Sequence, residues 1–389
     1  MAFLKKYWLA VLSPCLLIAS GQNSSQNMPN CPVEQKQPTC CEESEELLPE
    51  IAAYNAPVTY SSCAPTNLYV TGSFIYWQAA GDYLTYAYVN NSFNPNPAAI
   101  ENFLFDGKSA DLDFEYKPGF RVGLGYKTDY DNWDVLVEYT RFHQQVSSST
   151  SVQSANQRLH PLWITFVSAG QIFAEDCRRA SAKWKTDFDI IDAEVGRHFY
   201  LGQYLTFRPA IGLRTLWLDQ SYDVTYVPLT VPGVAKSFNS SESWGIGPKI
   251  SFDSEWNIYG GFKMLGDCAF SLLSVKDHVK VKQTNSRLPL LGATTDITYK
   301  NKQEINDVKP IIDLSLGLGW GRSVFQDKSY IDFSVKYDFS VYFDQSSIQL
   351  GQAGVVTPGG PNQVVVGGSQ GGSGNITIQG LEVSARIDF

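Results

Sequence analysis

The stretch DLDFEYKPGFRVGLGYK, from Asp111 to Lys127, decides how the chain is read. Its even positions, Leu112, Phe114, Tyr116, Pro118, Phe120, Val122, Leu124 and Tyr126, are apolar, while the odd ones are charged or glycine. Side chains on a strand alternate faces with period two, so the segment has one apolar and one wet face. Strands of soluble sandwiches run about 5–6 residues. A stretch this long either turns at Pro118-Gly119 or crosses something thick. The parity is the same on both sides of Pro118, which favours one tilted strand with a local bulge at Pro118, where the missing amide donor is tolerated.

From Asn67 onward the same texture recurs between clusters of Gly, Asn, Asp, Ser and Pro: NLYVTGSFIYWQ, NWDVLVEYTRF, YLTFRPAIGLRTLWLD and YIDFSVKYDFSVYF all alternate. In KWKTDFDIIDAEVGRHFY the parity slips near Ile190-Ile191, in the manner of a bulge. Residues 147–182, 219–242 and 280–307 read as long loops, and the low-complexity stretch 351–375 as a flexible one. Short connections alternating with long ones fit an antiparallel transmembrane barrel with long extracellular loops. Lipid offers no hydrogen-bond partners, so strands can span it only if the sheet closes on itself. At roughly 20 residues per strand plus loop, residues 67–389 give about 16 strands, within a range of about 12–18. Tyr76-Trp77, Tyr126, Trp133, Tyr139, Trp217 and Trp320 are placed for interfacial aromatic girdles.

The 389-residue chain carries a net charge of −9, which argues against nucleic-acid binding. Its start has a basic pair at Lys5-Lys6, an apolar run to Ala19 and small residues at Ala19 and Gly21, so residues 1–21 are expected to be a secretory signal peptide. A lipoprotein signal at Cys15 is disfavoured by Pro14 and by the position of Cys15 within the apolar run. Residues 22–66 are a cysteine-rich, largely irregular segment holding Cys31, Cys40, Cys41 and Cys63; Cys177 and Cys268 lie further on. The spacing is not that of a paired CxxC zinc site, and in an exported chain disulfides are the better reading, with partners that sequence does not define.

The terminus NITIQGLEVSARIDF is a final alternating strand ending on Phe389, a pattern like that read by outer-membrane assembly machinery. At SFIYWQAAGDYLTYAY, DFEYKPGFRVGLGYK and NWDVLVEYTRF the chain resembles the major outer membrane proteins of the Legionella and Chlamydia-relative type, a family of pore-forming barrels. The resemblance spans most of 67–389 and implies a porin of the bacterial cell outer membrane, often with cysteine cross-links in the envelope.

No GxSxG, HExxH or P-loop occurs, and His143, His160, His198 and His278 sit in no nucleophile–base motif, so neither enzyme activity nor a cofactor or metal is expected. The wet parity instead nominates lumen residues: Asp113, Glu115, Lys117, Arg121, Arg208, Arg214, Asp332, Lys336 and Asp338, whose mixed signs suggest weak ion selectivity. The expected partners are membrane lipid and small hydrophilic solutes or ions. A chiefly structural or adhesive surface barrel, cross-linked by disulfides, is the alternative, and self-association through disulfides or as a trimer stays open.

Overall fold

The computed structural model describes residues 67–91, 107–128, 131–164, 166–168, 171–173, 176–201, 204–229, 233–285, 297–324, 329–356, 363–371 and 374–389. The expected signal peptide and cysteine-rich segment, with Cys31, Cys40, Cys41 and Cys63, lie outside them.

Among the described residues there are eighteen strands and no helix. In chain order they are β1 (Leu68–Gly81), β2 (Ala87–Asn90), β3 (Gly107–Ala110), β4 (Lys117–Lys127), β5 (Trp133–Ser151), β6 (Arg158–Pro161), β7 (Phe166–Ser168), β8 (Gln171–Phe173) and β9 (Cys177–Arg197). There follow β10 (Phe199–Leu201), β11 (Leu205–Pro228), β12 (Ala235–Tyr259), β13 (Phe262–Asn285), β14 (Ile297–Val324), β15 (Ser329–Ser346), β16 (Gln349–Val356), β17 (Gln363–Gly371) and β18 (Gly374–Asp388). Ten of them close a ring in the order β11, β12, β13, β14, β15, β18, β1, β4, β5, β9, with β9 pairing back onto β11. The barrel is therefore ten-stranded, not sixteen-stranded. The estimate fails because β11 to β14 run to 24, 25, 24 and 28 residues, far beyond the spacing assumed for strand plus loop.

One end of the barrel has tight connections, such as the β12–β13 hairpin, where Gly260 (φ 64°) and Gly261 (φ 87°) adopt the left-handed pair that a two-residue turn needs. Both ends of the described chain meet there too: the Phe389 amide donates to the Leu68 carbonyl at 2.9 Å, closing the ring beside the N-terminal strand. The other end carries the long connections. There β2, β3 and β6 form a small sheet attached to the rim through the pairing of Leu159 with Cys177.

The deciding stretch is a strand over only part of its length. Residues 111–116 belong to no strand, and β4 begins at Lys117. Pro118 sits in register opposite Tyr76 with no bulge, on the side of β4 that faces β1. Within β4 the two parities separate as read: Phe120, Val122, Leu124 and Tyr126 face outward and are exposed, while Gly123 and Gly125 are buried inside.

The longer strands change character partway along. On β12 the outward residues from Trp256 to Trp244 include Phe252, Ile250 and Ile246, a belt bounded by tryptophan at each edge. Twelve residue steps at about 3.3 Å, tilted by about 40°, make that belt about 30 Å tall, the height of a hydrocarbon core. Trp244 lies opposite Trp217, and Trp217 opposite Asp189. Past that line the outward parity turns polar and the inward parity turns apolar. On β9 the outward residues run Arg179, Ser181, Lys183, Lys185, Asp187 and Asp189 and then Ile191, Ala193 and Val195, while inward Ala182, Trp184, Phe188 and Ile190 give way to Asp192 and Glu194.

The slip at Ile190-Ile191 is therefore no bulge. Pairing with β5 and β11 is continuous through both residues, and what inverts is the solvent on each side of the wall. The same inversion explains why residues 219–242 and 280–307, expected as loops, are mostly strand. Likewise β5 and β9 enter 147–182 from both sides, and 351–375 contains the β16–β17 hairpin in place of a flexible loop.

Candidate functional site

Inside the membrane belt the barrel holds a chamber of about 760 Å³ that reaches from the tight-turn end, at Asn132 and Phe389, up to Trp77 and Tyr342. The wet parity of every neighbouring strand supplies its wall, so acids and bases from different strands meet across the lumen. Arg208 donates from Nε to Asp134 at 2.9 Å and from Nη1 to Asp253 at 2.6 Å. Arg214 grips Asp192 at 2.7 and 2.8 Å and Asp313 at 2.5 Å. Lys249 reaches Asp192 at 2.8 Å and also contacts Glu194, Arg121 reaches Glu382 at 2.7 Å, and Lys336 reaches Asp267 at 3.0 Å. Charges withdrawn from water need such partners, since an uncompensated one in a low-dielectric site is costly.

Of the nominated lumen residues, Arg121, Arg208, Arg214, Asp332, Lys336 and Asp338 line this chamber. Asp332 is contacted by Lys263, and Asp338 accepts from Ser315 at 2.7 Å and from the Trp77 indole at 3.1 Å. Asp113, Glu115 and Lys117 do not border it: the first two lie in the non-strand segment, and Glu115 pairs with Lys117 at 2.6 Å on the surface. Trp77 is likewise not a girdle residue, being 5% exposed and turned inward, whereas Tyr76, Tyr126, Trp133 and Trp217 do face outward. Asp134, Asp192, Glu194, Lys249, Asp253, Lys263 and Asp313 are among the charged wall residues that had not been nominated. Each stands on the wet parity of a strand whose other parity is apolar, which is the signal that would have found them. The lining counts thirteen carboxylates against eight lysine and arginine side chains, with His198 besides.

Beyond Trp77 the interior becomes an apolar core. Phe142, Trp184, Phe188, Leu216, Leu218 and Tyr222 from the wall pack with Leu84, Tyr86, Leu112 and Trp163 from the connecting segments. Trp163 meets Tyr222 edge-on, with 4.9 Å between ring centroids. The segments are held as a lid by hydrogen bonds from the wall. The Tyr222 hydroxyl donates to the Leu84 carbonyl at 2.6 Å, the Tyr226 hydroxyl to the Tyr86 carbonyl at 2.5 Å, and the Gln283 amide to the Trp163 carbonyl at 3.0 Å. Tyr226 also accepts from the Trp163 amide at 3.1 Å. Burial pushes both phenols well above their ordinary value, which keeps them protonated as donors. Cys177 is buried at the start of β9 and Cys268 lies in the first third of β13; these strands do not pair, and the two cysteines are not joined to each other.

A closed antiparallel ring with an apolar belt outside and charges inside defines a transmembrane β-barrel. The family model of the Legionella pneumophila major outer membrane protein precursor matches residues 60–389. The chain belongs to that family, and it is a protein of the bacterial outer membrane. Among curated proteins nothing matches. Solved structures similar to it include the outer membrane protease OmpT from Escherichia coli, at 7% identity and a TM-score of 0.35, covering 85% of this chain and 98% of that one. The Pseudomonas putida toluene transporter TodX is similar at 11% identity and a TM-score of 0.34, covering 84% and 91%, and a Pseudomonas aeruginosa FadL homologue at 8% and 0.22, covering 83% and 89%. Likeness at these scores carries nothing about activity.

Proposed function

We propose that the protein is a porin, a passive conduit and not an enzyme, through which ions and small hydrophilic solutes cross by way of the charged chamber. The observation that carries this reading is the chamber itself: about 760 Å³ of polar space within the lipid belt, walled by paired charges. Ionisable groups at that depth mark ion and solute pathways, because an apolar interior would fill a spanning barrel at lower cost. The excess of carboxylates over basic groups in its lining favours cations, a sharper preference than mixed signs alone suggest. Since the lid closes the loop end in this conformation, conduction consists of brief openings between long closed periods.

Folded protein in a planar bilayer under a potassium chloride gradient tests it. The expected record is stepwise current whose reversal potential lies on the cation-selective side; a folded, inserted barrel giving no steps would remove the porin reading. The filled loop end favours the second reading, a structural surface barrel, and silent bilayers together with high-mass species on non-reducing gels that collapse on reduction would establish it.

A further inference from the structure

The outward face of β12, β13 and β14 above the tryptophan line carries Lys276, Lys280, Lys282, Lys300 and Lys302, all exposed. Lys280 stands directly opposite Lys302, and Lys282 directly opposite Lys300. Like charges facing each other across a ladder are destabilising, so this wall keeps an arrangement that folding alone disfavours. Two carboxylates share the face: Glu242 contacts Lys280, and Glu304 lies 3.2 Å from Lys276 and 3.5 Å from His278. Three positive charges remain in surplus. The wall on β9 and β11 at the same height is balanced, with Lys183 registered opposite Asp223 and Lys185 paired with Asp187 at 2.7 Å.

Height identifies the partner. Lys276 is registered opposite Trp244 at the edge of the belt, and Lys280 follows four residues later, about 10 Å higher on a tilted strand. Lipid headgroups extend several ångströms beyond the hydrocarbon, and the long lysine side chain spans the remaining distance, so the Lys280 and Lys302 ammonium groups meet the headgroup level. Exposed Phe238, whose ring centroid lies 6.0 Å from the Lys282 ammonium, adds an apolar contact beside the charges. Long connections face outward in outer-membrane barrels, so the leaflet concerned is the outer one.

We infer that the lysine ladder of β12 to β14 is a binding site for an outer-leaflet lipid whose headgroup carries phosphate, which would fix the barrel's depth and recruit a lipid to one side of it. The inference rests on the fold and the lipid belt and is independent of conduction.

The test measures binding of diphosphorylated lipid A, in vesicles of otherwise zwitterionic phospholipid, to folded protein. Wild type should bind in a salt-sensitive manner, and the double variant Lys280→Gln/Lys302→Gln should bind about thirty-fold more weakly, the effect of two lysine charges at an anionic surface. The control Lys183→Gln/Lys185→Gln on the balanced wall should bind like wild type. In the absence of lipid A, the ladder variant should unfold at the same or higher urea concentration than wild type, because a repulsion has been removed. Equal weakening in both variants, or wild-type binding by the ladder variant, overturns the inference. Displacement of lipid A by equimolar inorganic phosphate would also overturn it, by making free anion the ligand.

Discussion

Leu124 and Gly125 are neighbours on β4 with opposite surroundings, lipid for one and the Tyr69 ring for the other. Arginine at Leu124, 56% exposed on the belt between the girdle and the midplane, puts charge into hydrocarbon and should cost about 1–3 kcal/mol in the free energy of folding into bilayers, read from urea titration. Parity alone would let Gly125 accept a lumen side chain harmlessly, but a Cβ there would lie 2.0 Å from the Tyr69 ring. Because Tyr69 is registered opposite Gly125 and donates to Asp134 at 2.7 Å, Gly125→Ala should displace the ring and lower the midpoint as well. Thus the alternation was legible in the sequence, whereas the cross-strand neighbour was not, since register depends on how β1 and β4 pair. Lys309 makes a similar case: buried beside the apolar core, it reaches Asp277 at 2.5 Å and Ser347 at 3.0 Å. Lys309→Met leaves a buried carboxylate uncompensated and should cost about 3–5 kcal/mol, and Lys309→Met/Asp277→Leu should recover most of it.

At the scale of the strand, β9 and β11 are each two amphipathic strands of opposite sense joined end to end. A period-two search that fixes apolar as outward finds the lower halves and loses the upper ones, which is why 219–242 read as loop and why Ile190-Ile191 read as a bulge. The upper halves follow the ordinary rule of soluble proteins, apolar inside and polar outside, because water replaces lipid beyond Trp217. What these halves enclose, the lid, was not legible: residues 84–86 carry no signal that their carbonyls end against Tyr222 and Tyr226. Tyr226→Phe removes the donor to the Tyr86 carbonyl and the acceptor of the Trp163 amide, both buried, at a cost of about 1–3 kcal/mol. The barrel itself should stay folded while the lid opens more often. Limited proteolysis within 82–116 should quicken several-fold, and the closed periods in bilayer recordings should shorten. Unchanged cleavage would mean that the hydroxyl holds nothing in place.

For the molecule as a whole, ten strands make a narrow ring, and the charges that line it neutralise one another in place of water. Total length suggested more strands because the extension of the wall beyond the membrane is invisible to a count that assumes loops there. The mouth at the tight-turn end sets how this assembly responds to acid. His198 lies in the connection after β9, its amide donating to the Asn132 carbonyl at 3.1 Å and its ring 3.8 Å from Asp134. Burial pushes its imidazole down to about 4; the attraction of Asp134 opposes this, while Arg208, Arg386 and Lys127 reinforce it. An unfolded histidine titrates near 6.5, so between these values the unfolded chain holds the proton that the folded barrel refuses. The associated stability is complete above about 6.5 and is lost as pH falls toward 4. From pH 7 to pH 5 the loss comes to about 2 kcal/mol at this single group. Urea unfolding of the inserted barrel at the two pH values should show that loss in wild type, and His198→Gln, which keeps a polar group of similar size without a titrating ring, should show a difference smaller by about that amount. The same pH sensitivity in both proteins would place the acid response among the carboxylates of the chamber, not at its mouth.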